Sequence, residues 1–547
     1  MLFETFAVLA ALVAGCVFRS RRWPAATRVA LSRLASRPWQ AIAIVGLLSV
    51  AANLGVAAHL EPSPTIHDEF SYLLAGDTYA QGRITNPTHP LWRHFETIHV
   101  IHQPSYASKY LPAQGLFLAA GEILTGRPWI GVLISVALAT MALCWMLQAW
   151  LPPGWAFLGG LLAAVHPGLV LRFGQSFWGG AVAMLGGALL YGAFRRLYIR
   201  PRASCAWVMG LGLALLATSR PFEGLIASLP VAAAILTLPF GSRRLAVPLV
   251  FRRVALPLAT SVLAIVAVIG FYNFRVTGDA LLLPYQVHEQ TYAAAPVFLW
   301  QPARTMPDVR HGILEALHGD WSMNEYNKQQ TAEGFWREAK KKLRLLVGFY
   351  PRTLLGVPLL FVFLLLRNPW IRFALLCCGL MLAALLTETF FQVHYAAPLA
   401  PLFFFVAMQA LRVFRTLHWR GRRLGAPLAA ASFWILLVAL AETTISREES
   451  KGREEVVAWL EAIEGQHLVL VYHRPSHFAH SDFVYNPADI DSARIVWARP
   501  LGETENTELV EYFAGRRVWL LDPDAERVVL LPWADGPPPS SYLDWPH

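Results

Sequence analysis

Blocks of about 16–23 mostly apolar residues recur along the whole chain, each long enough to cross a hydrocarbon core as a helix. In lipid every backbone N–H and C=O must be paired internally, so such blocks admit helices and little else. The spans fall near 3–18, 39–58, 129–149, 155–172, 177–194, 206–219, 222–239, 252–274, 346–366, 371–387, 396–413 and 426–442. The expected fold class is an α-helical polytopic membrane protein with about 12–13 transmembrane helices. Only 15% of the 547 residues are charged, against roughly a quarter in soluble domains.

The charges order the spans. Basic clusters at Arg19–Arg37, Arg195–Arg202, Arg243–Arg253, Arg367–Arg372 and Arg412–Arg423 all fall on one side of this arrangement. That side is cytoplasmic by the positive-inside bias. The net charge of +10 is thus accounted for by topology, and nucleic acid is not an expected partner. The loops 59–128 and 275–345 and the tail lie outside, and 114–126 reads as a re-entrant or interfacial helix. Lys340-Lys341-Lys342-Leu343-Arg344 departs from the rule. The five cysteines lie in or beside apolar blocks, which fits small apolar side chains and no disulfide or zinc framework.

The chain divides at about residue 445. Residues 1–444 form the membrane domain, and 445–547 a small α/β domain on the outer face. In the tail, Glu448–Glu464 and Thr507–Phe513 read as helices, and Leu468–Tyr472, Arg494–Trp497 and Val518–Leu521 as strands. His473, His477 and His480 have helix-like ligand spacing, but Pro475 interrupts any helix there, so a solvated loop is expected.

The first outer loop carries the densest chemistry. It opens with Ile66-His67-Asp68-Glu69-Phe70-Ser71-Tyr72 and closes with Ser108-Lys109-Tyr110-Leu111-Pro112. Acids at a bilayer boundary are costly to bury and are often functional. A carboxylate can take a proton from an acceptor hydroxyl, and a cation can hold a phosphate. A phosphate leaving group needs electrostatic stabilisation more than a strong general acid. Asp68 and Glu69 cannot flank one bond as paired carboxyls, because adjacent side chains diverge. The competing reading of Asp68 is a helix-capping or surface acid. Glu69 reads as a supporting or capping residue with direct chemistry as the alternative. An interfacial lysine that snorkels is the competing reading of Lys109.

In this order of elements the chain resembles the GT-C glycosyltransferases, nearest in pattern to protein O-mannosyltransferases and the lipid A aminoarabinose transferase. The resemblance rests on an apolar helix, an outer loop opening with Asp68-Glu69, and the Lys109-Tyr110-Leu111-Pro112 entry into the next helix. It covers roughly 40–415. It implies a glycosyltransferase that moves a hexose or pentose from a polyprenyl-phosphate donor to an acceptor hydroxyl with inversion. The implied location is a bacterial inner or plasma membrane, with the site on the outer side. The implied partners are the lipid-linked donor, a glycan, lipid or protein acceptor, and membrane lipid. Asp68 takes the role of catalytic base, with Glu69 beside it, and Lys109 that of donor-phosphate ligand. The usual Lys-Pro-Pro is Lys109-Tyr110-Leu111-Pro112 here. Arg220 is a second phosphate candidate. Tyr72, His102, Gln175, Trp178, Glu223, Tyr285, His394 and Tyr395 are substrate-binding candidates. Gln175 stands where relatives often carry an acid. For Arg220 with Glu223 a purely structural pair is the alternative, and for His394 a buried core histidine.

No cofactor is expected. A divalent metal at His67, Asp68, His99 and His102 is the alternative, but no short-spacing ligand signature accompanies these residues. Two other function classes compete. A multi-span transporter or lipid flippase would place charges at mid-membrane and show repeat symmetry. A non-catalytic scaffold would act through its tail.

Overall fold

The computed structural model describes residues 2–17, 32–238, 240, 246–420, 422, 423, 425–447, 452–474, 477–524 and 529–533. Parts of the basic clusters at 19–37 and 243–253 lie outside the described residues. Two compact units emerge: Met1–Ser63 with Trp129–Ile269 and Gln329–Arg447, and Pro64–Pro128 with Gly270–Lys328 and Glu448–His547.

Six helices among the described residues are long and apolar enough to cross a membrane: Pro38–Ala57, Pro128–Trp150, Val247–Thr277, Pro369–Leu386, Val393–Phe414 and Ala426–Ile445. Phe3–Val17, Ala113–Thr125, Pro153–Ala164, Ala203–Ser219 and Pro221–Leu236 are shorter apolar helices. The chain is thus an integral membrane protein with a helical body. Proline begins many of these helices, where its missing N–H costs nothing and its fixed φ suits the first turn. The predicted span at 346–366 is not one helix. The Ala332–Phe349 helix stops before Pro351, Arg352–Leu359 follows, and a short 3-10 turn covers Val362–Leu365. Pro351 and Pro358 each remove a backbone donor, which breaks the run.

In the first unit, small residues let helices approach closely. A Cβ on Gly187 would lie 2.0 Å from the Pro398 carbonyl oxygen. Only glycine lets the Gly180–Ile199 helix sit this near the Val393–Leu399 turn, which carries His394.

The second unit assembles the segments Pro64–Pro128 and Gly270–Lys328 with the tail. The tail sheet runs in the order Ile495–Ala498, His467–Val471, Arg517–Asp522, Val529–Pro532. The first three strands are parallel and the last antiparallel. The fourth strand is absent from the sequence reading. Side chains alternate across a strand. Leu468 and Leu470 therefore join Leu74, Phe95, Val100 and Tyr106 of the first loop, while Val469 and Val471 face Val456, Leu460 and Trp497. All four strand residues are essentially fully buried. Each is worth about 1.5–3 kcal/mol over exposure, so burial of one sheet face is what holds loop and tail in a single unit.

Candidate active site

Asp68 and Glu69 lie in the first turn of the His67–Ala80 helix, not in an irregular loop. Acids there meet the positive end of the helix dipole. The two side chains part at once. Glu69 is buried, and its Oε2 accepts from the N–H of Thr65 at 2.8 Å and of Ile66 at 3.3 Å. This is the reach-back of a capping box.

Asp68 turns the other way. Its Oδ1 accepts from the Tyr110 hydroxyl. Its Oδ2 lies 3.0 Å from Nδ1 of His67 and 3.8 Å from Nε2 of His99. Burial by itself would raise the carboxyl's pKa. The hydrogen bond and charge of His67, the Tyr110 hydroxyl and the charge of Lys109 outweigh it and hold Asp68 well below the usual carboxylate range. Asp68 is therefore an ionised, hydrogen-bonded carboxylate with 28% of its side chain still exposed.

Close helix packing brings Tyr110 here. A Cβ on Gly115 would come 2.7 Å from the Tyr79 ring, so glycine allows the Ala113–Thr125 helix to lie against His67–Ala80. Tyr110, just ahead of that helix, then stacks on Tyr72 with ring centroids 4.3 Å apart. The adjacent Lys109 is 3% exposed. Its Nζ lies 3.3 Å from Glu289 Oε1 and 4.5 Å from the centre of the Tyr285 ring. Burial lowers the Lys109 pKa, and Glu289 and then Asp68 oppose that.

The tail contributes directly. His480 Nδ1 is 2.7 Å from His67 Nε2. Phe70 stacks on Tyr485 at 4.1 Å. Buried Arg499 pairs with Asp482 and donates to the Glu96 carbonyl at 2.8 Å. The expectation of a solvated loop at 473–480 is corrected. The side chains of His473 and His477 are only 7% and 6% exposed, with rings 4.1 Å apart, and His477 meets Asp524 at 2.7 Å. Contact with Asp482 and Asp524 recruits this segment into the unit.

His102 lies near this centre but not on Asp68. It lines a cavity of about 560 Å³ with Trp92, Glu96, His288, Tyr292 and Arg310. Two overlapping sets among the described residues have the spacing to hold a metal: His67, Asp68 and His99; and His99, His288 and His318.

The remaining candidates form a second cluster, in the first unit. Arg220 contacts His394 Nε2, lies 3.6 Å from Glu223 Oε1 and 4.2 Å from the centre of the Tyr395 ring. The Trp178 ring lies tilted against His394 with centroids 4.6 Å apart, and the Arg172 guanidinium lies 4.8 Å from the centre of the Trp178 ring. Gln175 instead binds Asn53, its Nε2 reaching the backbone oxygen at 3.1 Å and Oδ1 at 3.2 Å. Glu388 accepts from buried Lys342 through its backbone carbonyl at 2.6 Å.

Sequence reasoning missed Tyr110 and His67 as partners of Asp68, Glu289 as partner of Lys109, His480, and Arg172. Tyr110 carried a usable signal, since it sits beside Lys109 in the quoted stretch. Glu289 and His480 lie 180 and 413 residues from their partners, and no local pattern marks them.

No protein-family model matches the chain, and no curated protein does. Solved structures do. The oligosaccharyltransferase of Archaeoglobus fulgidus, crystallised with zinc and sulfate, superimposes with a TM-score of 0.51 at 12% identity, over 88% of this chain and 67% of that one. The ArnT of Cupriavidus metallidurans bound to undecaprenyl phosphate is similar at a TM-score of 0.46 and 12% identity, over 90% and 99%.

Proposed function

We propose that the chain is a GT-C glycosyltransferase, a reading supported by the fold it shares with the archaeal oligosaccharyltransferase. From that fold and the Asp68 centre we propose a glycosyltransferase that moves a sugar from a polyprenyl-phosphate donor to an acceptor hydroxyl, with inversion, on the outer face of the membrane. The observation that carries this reading is the Asp68 carboxylate, kept ionised by His67, Tyr110 and Lys109 and still part-exposed at the head of a helix. The carboxylate is charged, oriented and accessible, so it can accept a hydrogen bond from an acceptor hydroxyl and take its proton as the new bond forms.

In the proposed step Asp68 takes the proton of the acceptor hydroxyl as its oxygen bonds to the anomeric carbon. The bond from that carbon to the phosphate oxygen breaks, and its electron pair leaves with the phosphate. One displacement inverts the centre. Glu69 holds the helix start that aims Asp68. Lys109 supplies positive charge to the departing phosphate, with Glu289 setting its position. Arg220, with Tyr395 and His394 around it, is the second proposed phosphate ligand. Tyr72, Tyr285, His102, Trp178, Gln175 and Glu223 are proposed to line the donor and acceptor sites. The Archaeoglobus enzyme has also been solved with dolichol phosphate and an inhibitory peptide, and the Cupriavidus ArnT with undecaprenyl phosphate. A polyprenyl-phosphate donor for this chain is in keeping with both.

The reading is tested by mass spectrometry of envelope glycans and glycolipids from cells with and without the protein, followed by reconstitution with the implicated donor. A sugar that disappears with the gene and is transferred in vitro with inverted anomeric configuration is the expected outcome. Unchanged glycans together with no transfer from any polyprenyl-phosphate sugar would overturn it.

A further inference from the structure

The basic run that departs from the positive-inside order, Lys340-Lys341-Lys342-Leu343-Arg344, lies on the Ala332–Phe349 helix of the first unit. The transfer step proposed for Asp68 uses none of it. A helix turns by about 100° per residue, which gives this one three faces. Gly334, Ala339 and Lys342 are buried. Trp336, Leu343 and Val347 form an apolar stripe and are 60%, 46% and 49% exposed. Arg337, Lys340, Lys341 and Arg344 form a basic stripe beside it, all exposed. Glu338 lies 3.7 Å from Arg337 and 3.4 Å from Lys341. Lys340 and Arg344 have no carboxylate partner among the described residues. Apolar and basic stripes side by side on one exposed surface are the pattern of a helix that lies at a membrane interface.

The packing of this helix puts it at a bilayer boundary. Lys342 turns inward, and its Nζ donates to the carbonyls of Leu385 at 3.2 Å and Glu388 at 2.6 Å. Leu385 is in the last turn of Pro369–Leu386, one of the helices long and apolar enough to span. The end of such a helix lies where hydrocarbon meets headgroups. Leu343 and Tyr350 line a groove of about 240 Å³ with Cys378, Leu382 and Leu385 of that helix and with Phe403. Cys378 is about two turns deeper than Leu385, so the groove runs from the basic stripe into the hydrocarbon. Pockets that enclose a small molecule are roughly 300–1,000 Å³, so this groove takes part of one chain and leaves the rest to the bilayer.

We propose that the Ala332–Phe349 helix binds anionic phospholipid. Arg337, Lys340, Lys341 and Arg344 hold headgroup phosphates, Trp336, Leu343 and Val347 insert beside the acyl chains, and the groove takes one chain. The four cations spread over about 10 Å of helix. That is wider than one phosphate and fits neighbouring phospholipid headgroups better than the single phosphate of a polyprenyl carrier. The proposed donor-phosphate ligands Lys109 and Arg220 belong neither to this helix nor to the groove. Each basic residue at an anionic surface raises affinity about fivefold. The helix also supports the chain that leads into His394. Gln329 Nε2, just ahead of it, donates to the Thr389 carbonyl at 2.9 Å, and the Tyr350 hydroxyl, just after it, to the Val393 carbonyl at 3.2 Å. Bound lipid therefore steadies the segment that carries His394.

This binding is independent of the role given to Asp68. The test uses the full chain, purified in delipidating detergent, with its melting temperature followed as phosphatidylglycerol, phosphatidylcholine or undecaprenyl phosphate is added. Phosphatidylglycerol is expected to raise it and phosphatidylcholine not, and added salt should weaken the effect. Arg337→Gln/Lys340→Gln/Lys341→Gln/Arg344→Gln should melt like wild type without lipid, because all four side chains are exposed, and should need at least tenfold more phosphatidylglycerol for the same rise. Lys340→Gln/Arg344→Gln, which leaves both Glu338 pairs in place, should show a smaller shift in the same direction. Lys340→Arg/Lys341→Arg keeps the charge and should respond as wild type. Native mass spectrometry should find phosphatidylglycerol retained by wild type and lost from the fourfold variant. Equal responses to the two phospholipids, or Gln variants that respond as wild type, overturn the proposal. So does displacement of phosphatidylglycerol by equimolar undecaprenyl phosphate, which would make this face part of the carrier site.

Discussion

Replacing Lys109 by methionine separates its structural contribution from its chemical one. Lys109 and Glu289 lie 3.3 Å apart with side chains only 4% and 12% exposed. At an effective dielectric of about 20 their attraction is about 5 kcal/mol. Desolvation of both charges offsets most of that, so the pair itself contributes little net stability. Removing one partner is different, because Glu289 is then left buried without its cation, with only the His288 ring 3.5 Å away. Lys109→Met should therefore destabilise the second unit by about 3–5 kcal/mol. For a unit of this size that lowers the melting temperature by about 10 °C. The double variant Lys109→Met/Glu289→Leu should recover most of the loss, since two apolar side chains replace two charges. The assay is thermal unfolding of the purified protein in detergent, paired with transfer kinetics on the same samples. If Lys109 also holds donor phosphate, the double variant regains stability but not kcat. A single variant as stable as wild type would refute the buried-pair reasoning, and a double variant with wild-type kinetics would refute the phosphate role.

The other expectations concern the neighbours of Asp68. Tyr110→Phe removes a hydrogen bond to the charged form, worth about 1.5–3 kcal/mol, so the Asp68 pKa rises. The carboxylate stays ionised at neutral pH, and the acid limb of the pH–rate profile moves to higher pH; an unmoved limb contradicts the assignment. Glu69→Gln keeps an oxygen acceptor for the Thr65 and Ile66 N–H groups and should retain transfer, while Glu69→Ala loses the cap, about 1 kcal/mol. A Gln variant that folds but cannot transfer would instead give Glu69 direct chemistry. Arg499→Met strips buried Asp482 of its arginine, leaving it Thr97, the Val484 N–H and His473, and removes a bond to the first loop. Limited proteolysis should then cut that loop faster than in wild type.

The helical body was legible because a membrane leaves helices as the only economical use of long apolar blocks. The parallel strands of the tail were legible too, as short β-branched and aromatic runs between polar stretches. The break at 346–366 was visible only as Pro351 and Pro358 inside an otherwise apolar run, and hydropathy averages over that detail. In the site, Asp68 stood out because it opens a polar stretch that directly follows a long apolar run. Its start-of-helix position did not stand out, because Ile66 precedes it where a Ser, Thr, Asn or Asp cap would signal a helix. Glu289, His318 and His480 reach the centre only through tertiary packing of two loops and a tail. No spacing rule spans such separations. That is why the buried Lys109–Glu289 pair and the three-histidine cluster emerge only in the folded chain.

The role of Asp68 as base is tested by sugar transfer in Asp68→Asn. Asparagine keeps the shape and can still meet Tyr110 and His67, but it cannot take a proton. Membranes carrying wild type or Asp68→Asn at matched expression would be given a polyprenyl-phosphate sugar donor and the acceptor identified from the glycan comparison. The expected variant inserts and melts like wild type, binds donor, and transfers no sugar above background. Transfer by Asp68→Asn at the wild-type rate would contradict that role.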